Sequence, residues 1–200
     1  MTVYSRKLID ISLCFALLFC IVLSMCGFSD SCNEMYDNIV RIRIIANSDK
    51  ALDQEVKLLV RDAVLTETGD FLGEACDREE ALYIAERNIE LIKDVANKTL
   101  LENGFDYGVK ARVSKEFFDT RVYDDFTLPA GSYESLVLTL GEGRGENWWC
   151  VMFPTVCVGS AAGRLSDSLS SEAADVAYNH SKYVLKFKAV EIFEKIKKIL

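Results

Sequence analysis

Hydrophobic and polar positions alternate along this chain with clearly different periods. Residues 11–25 form an almost unbroken apolar run with no polar face. From residue 39 the period becomes two: Val40, Ile42 and Ile44 share one face and Arg41 and Arg43 the other, which predicts a half-buried strand. Asn47, Ser48 and Asp49 offer side-chain acceptors for helix capping, and Leu52, Val56, Leu59, Val60, Ala63 and Val64 then recur at helical spacing up to Thr68 and Gly69. A second helix is expected from Asp77, where Glu80 completes a capping-box-like start. Its stripe runs through Ala81, Leu82, Ala85, Ile89, Ile92 and Ala96, and Asn103-Gly104 stops it. Tyr107, Val109, Ala111 and Val113 alternate with Lys110, Arg112 and Ser114, a strand again.

The densest pattern lies in residues 126–157, FTLPAGSYESLVLTLGEGRGENWWCVMFPTVC. Pro129 fixes its own φ and Gly131 permits a positive one, so a tight turn is expected at residues 128–132. A strand follows, with Tyr133, Ser135, Val137 and Thr139 on one face and Leu136, Leu138 and Leu140 on the other. Gly141, Gly143 and Gly145 reverse the chain, and an apolar run at residues 148–153 completes a hairpin. Residues 159–176 are small and polar, which reads as a flexible connection. In residues 177–200, Leu185, Ala189, Ile192, Phe193, Ile196 and Leu200 form a stripe with most lysines off it, a helix that either docks on the sheet or lies on a membrane surface. The order of elements predicts an α+β domain at residues 38–158, a small mostly antiparallel sheet with helices packed on one face, preceded by an apolar N-terminal export segment.

Charge and cysteine placement sharpen this picture. Arg6 and Lys7 precede the apolar run, so residues 1–32 read as a signal peptide or an uncleaved membrane anchor at residues 11–28, with the domain on the far side of the membrane. With 31 acidic and 23 basic residues the net charge is -8, which argues against nucleic acid as a partner. Cys150 and Cys157 stand seven apart around Pro154. Outside the cytoplasm they either form a disulfide or remain two reduced, buried thiols.

Little points to catalysis. His180, the single histidine, lies in a polar stretch, so a Ser-His or Cys-His pair is not expected, nor is a metal centre or a cofactor. The loop glycines lack a phosphate-binding pattern. The enzymatic alternative is a cell-wall hydrolase using Glu142 and Glu146, with Trp148 and Trp149 as sugar platforms. Because Trp148 and Trp149 are adjacent on a strand they face opposite sides, so one of them is expected to anchor a partner. Further contact candidates are Arg41 and Arg43, the loop residues Glu142, Arg144, Glu146 and Asn147, and, more weakly, Asp119, Arg121 and Tyr123.

The run LPAGSYESLVLTLGEGRGENWWCVMFPTVC, together with RIRIIANSD at residues 41–49 and KLLVRDAVL at 57–65, resembles the stage II sporulation protein R family. The resemblance implies a protein made in the forespore and exported to the intermembrane space. Its partner would be a membrane-embedded aspartic protease of the mother cell, which processes the early mother-cell sigma-factor precursor.

Overall fold

In a computed structural model, the structure describes residues 3–72, 75–154 and 162–199. The chain runs α1 (Val3–Asn38), β1 (Val40–Ile45), α2 (Ala51–Leu72), α3 (Arg78–Arg87), α4 (Ile89–Glu102), β2 (Val109–Phe118), β3 (Arg121–Val122), β4 (Thr127–Leu128), β5 (Gly131–Leu140), β6 (Asn147–Phe153), α5 (Ala162–Asp167), α6 (Ser171–Tyr178) and α7 (His180–Ile199). The four-stranded sheet has the order β2-β5-β1-β6 and is mixed: β1 runs parallel to β5, while β1–β6 and β2–β5 are antiparallel. The expected α+β class holds.

One face of the sheet is built as the alternation predicts. Val40, Ile42 and Ile44 of β1 and Leu136, Leu138 and Leu140 of β5 meet Val56, Val60 and Val64 of α2 and Ile92, Ala96 and Leu100 of α4 in a closed core. Asp77 accepts from the Glu80 amide at 2.8 Å while the Glu80 carboxylate accepts from the Cys76 amide at 2.8 Å, so the capping box forms. The helix that follows is divided at Asn88, whose side-chain amide donates to the Ile84 carbonyl at 2.8 Å. This local bond competes with the backbone ladder.

Helices cover the second face as well. Phe28, Cys32 and Met35 of α1, Leu165 of α5, Ala173, Val176 and Ala177 of α6 and Phe187 of α7 pack with Phe118, Leu128, Tyr133 and Val151. Within residues 159–176, expected as a flexible connection, the described part instead forms α5 and most of α6, with buried side chains: small residues there permit close packing of α6 against α1 and β4. Within the Pro129 turn, Gly131 does not take a positive φ; a Cβ there would lie 2.5 Å from the Tyr36 ring, so glycine is required by the approach of α1. Tyr36 locks that contact by donating to the Ala130 carbonyl at 2.6 Å.

The apolar run ahead of this packed region stays outside both cores. Ile11, Leu13, Phe15, Leu17, Leu18, Phe19, Ile21 and Leu23 are all more than half exposed. By length and composition α1 is able to cross a membrane.

Candidate functional site

The glycine-rich loop at residues 141–147 is held by the residues that follow β1. The Glu142 amide donates to Asn47 Oδ1 at 2.9 Å and the Glu146 amide to Asp49 Oδ1 at 2.7 Å. The Arg144 and Gly145 amides donate to the carbonyls of Asn47 and Ala46. Lys57 adds a bond from Nζ to the Glu146 carbonyl at 3.1 Å. Asn47 and Asp49, expected to cap the helix, thus hold the loop as a cradle, while Ser48 accepts from the Lys50 amide and donates to Asp53.

Beneath the cradle sits Asp53, buried, accepting from Tyr107 Oη at 2.6 Å, from Asn47 Nδ2 at 3.1 Å and from the Ser48 hydroxyl. Burial pushes its carboxyl up, but these hydrogen bonds outweigh that effect and hold it below the ordinary value. Burial, together with the same carboxylate, pushes the Tyr107 phenol up. Two of the glycines have positive φ, Gly141 at 55° and Gly143 at 64°. At Gly145 a Cβ would meet the Ser48 carbonyl oxygen at 2.3 Å. What this rigid loop presents to solvent is an exposed ion pair, Arg144 to Glu142 at 3.1 Å.

Beside the loop, the second face of the sheet carries an aromatic and cationic patch. Trp149 pairs with Arg43 across β1 and β6, and the Arg43 guanidinium lies 4.6 Å from the indole centroid. Arg121 approaches the same indole at 5.5 Å, and Phe118 packs edge-on at 4.8 Å. Arg43 is oriented by Asn147 Oδ1 at 3.1 Å and by Glu116 at 3.2 Å, and Glu116 also binds Arg112 at 2.8 Å. Burial raises the Glu116 carboxyl, yet bonds from Arg112 and Ser114 and the charges of Arg112 and Arg43 hold it low. Trp149 and Arg43 stay half-buried and Arg112 and Arg121 exposed, because the helices on this face cover its opposite end.

The remaining candidates part from this patch. Arg41 does not share the solvated face expected of it: it is fully buried, stacked 4.0 Å from the Phe118 centroid and bonded to Tyr123 Oη at 2.6 Å. Burial lowers its guanidinium affinity for a proton, and the neighbouring Tyr123 and Tyr133 oppose that. The reason is that Phe118, Tyr123 and Tyr133, residues of the second core and its margin, close over the row that the alternation leaves to solvent. Trp148 points to the first core and meets Arg61 at 5.4 Å. Asp119 pairs instead with Lys195 of α7 at 3.0 Å.

Cys150 is disulfide-bonded, and Cys157 lies outside the described residues. Glu142 and Glu146 are exposed, one engaged by Arg144. Sequence reasoning overlooked Glu116 and Arg112, whose spacing on a strand carries no distinguishing signal, and Asp53, which reads as an ordinary first-turn helix acid.

Comparisons with known proteins match the same blocks of sequence. A family model described as stage II sporulation protein R matches residues 36–162, which include β1, the cradle, the loop and the patch. A stage II sporulation protein R from Bacillus subtilis (strain 168) is 38% identical over 121 residues, 60% of this chain. The match spans 54% of that relative, about half its length. No solved structure matches.

Proposed function

The chain belongs to the stage II sporulation protein R family, and from that premise we propose that it is an exported, non-enzymatic signalling protein of endospore formation. It is made in the forespore and acts in the intermembrane space on a membrane-embedded aspartic protease of the mother cell. The protease then processes the early mother-cell sigma-factor precursor, so the bond-breaking chemistry belongs to the partner. Activation is a population shift, which requires tighter binding to the active protease than to the inactive form.

The observation that supports this reading best is Trp149, half-buried between Arg43 and Arg121 beside a loop that is locked in place. A preorganised aromatic with cationic shoulders is the kind of anchor that dominates binding energy, because little side-chain freedom remains to be lost on association. Arg144 and Glu142 extend the contact surface, and α1, long and apolar enough to cross a membrane, would keep the domain close to such a protease.

The test reconstitutes the full chain in membranes that face the protease and its precursor, with precursor cleavage as the readout. Cleavage should depend on the chain. Trp149→Ala should weaken activation about 30-fold, the equivalent of about 2 kcal/mol, with Arg121→Glu lowering it in the same direction and leaving the fold intact. Cleavage that proceeds without the chain, or that ignores both substitutions, would overturn the proposal.

A further inference from the structure

The last helix has two apolar faces, and only one is used. Phe187 is buried and Tyr183 and Val190 half-buried against α1 and its neighbours, with Phe187 5.2 Å from the Phe28 ring. On the opposite side, Val184, Leu185, Ile192, Phe193 and Ile196 are 48%, 85%, 52%, 63% and 52% exposed. A docked helix normally needs one stripe; a second, this large, signals another apolar neighbour. α7 lies beyond the residues that the family model matches.

Three observations identify that neighbour. At 3.6 residues per turn, Lys188 and Lys195 fall along one edge of the outer stripe and Lys186 and Lys197 along the other. Residues 180–199 hold six lysines against two glutamates in a chain whose net charge is -8. Lysine stems flanking a stripe on both sides can lie along acyl chains while the ammonium groups reach the headgroups. Lys188, Lys195 and Lys197 stay exposed to solvent although each pairs with a carboxylate, of Glu191, Asp119 or Glu194.

Continuity with α1 is the third. Val184 and Leu185 line a groove together with Cys20, Ile21, Ser24 and Met25, and Lys186 Nζ donates to the Ser24 carbonyl at 3.1 Å. The outer stripe therefore begins where the exposed apolar surface of α1 ends. Pairing with a second copy of the helix is disfavoured, because it would set lysine edge against lysine edge.

We infer that α7 is a membrane-contact helix, whose outer stripe seats on the bilayer that α1 enters while its flanking lysines meet anionic headgroups. The exposed apolar run of α1 ends just before Phe28, from which the helix is packed in the second core, so α7, which meets α1 between Cys20 and Phe28, sits where α1 leaves the bilayer.

The experiment places the full chain in bilayer discs containing a lipid with a photoactivatable acyl chain, made either from phosphatidylcholine alone or rich in phosphatidylglycerol. Labelled peptides are mapped by mass spectrometry, and the ratio of α7 to α1 labelling is read. In phosphatidylglycerol discs the peptides holding Leu185, Ile192 and Phe193 should be labelled. Replacing Lys188 by Gln should lower the ratio by up to about fivefold, and so should replacing Lys195. Phosphatidylcholine should lower it in the same sense. The triple variant L185Q/I192Q/F193Q should lose α7 labelling and keep that of α1. Should its near-UV circular dichroism change, Leu185→Gln alone, at the most exposed site, carries the test. Labelling confined to α1 in both lipids would overturn the inference and give the stripe to a protein partner; labelling equal in the two lipids would overturn the headgroup contact.

Discussion

At the scale of single residues, Asp53 decides whether the cradle keeps its shape. Replacing it with Asn removes a charged acceptor from three donors, so a loss of about 2 kcal/mol is expected at neutral pH, measured by urea unfolding. Because its carboxyl is held below the ordinary value, the folded state takes up this proton less readily than the unfolded chain. That contribution is complete above pH ~4 and fades as pH falls through the folded value. The gap between wild type and Asp53→Asn should therefore narrow in acid; a gap that widens below pH 4 would contradict the network described. Arg41 shows where single-residue reading stopped. Its side of β1 was legible from the alternation, but whether that side meets water depends on Phe118, Tyr123 and Tyr133, which close over it from distant strands and the link between them.

At the scale of elements, the loop and its cradle explain why two distant blocks of sequence behave as a unit. The strands on either side of the glycine-rich turn were legible from their period, but the hairpin expected of them does not form: β1 lies between β5 and β6 and pairs with both, so the loop crosses the end of β1. Which residues would hold the loop was not legible, since Asn47, Ser48 and Asp49 satisfy a helix-capping pattern equally well and only the β1–β6 register brings them to it. Gly145→Ala tests the geometry. Its Cβ would meet a backbone carbonyl that has little room to yield, so a cost of about 1–3 kcal/mol is expected. Hydrogen exchange at the amides of Glu142, Arg144 and Glu146 should accelerate, while β5 keeps its protection. Unchanged exchange at those amides would mean that the cradle does not hold the loop. The capping box at Asp77 and the stripe of α2 and α4 were readable because they depend only on residues within the same helix.

At the scale of the whole molecule, the sheet separates two cores of different composition and different sequence range. The first is closed by α2, α3 and α4 between the strands. The second gathers α1 and the three last helices, elements at opposite ends of the chain, so no local pattern announces it. Phe28 is the hinge of that second layer: it touches the rings of Tyr183 and Phe187, and it sits one turn beyond the exposed apolar run. Phe28→Ala should remove about 3–5 kcal/mol, and the loss should be local. Amide exchange should speed up across α6 and α7 while α2 and α4 remain protected, because their core shares no side chain with Phe28. The consequence reaches the signalling surface, since Phe118 supports Trp149 from within the second core and Lys195 of α7 pairs with Asp119 beside it. A helix layer that loosens should therefore weaken activation even with the loop intact. If Phe28→Ala speeds exchange in α7 yet leaves activation unchanged, the Trp149 patch is supported by the sheet alone, and the outer helices serve only the membrane.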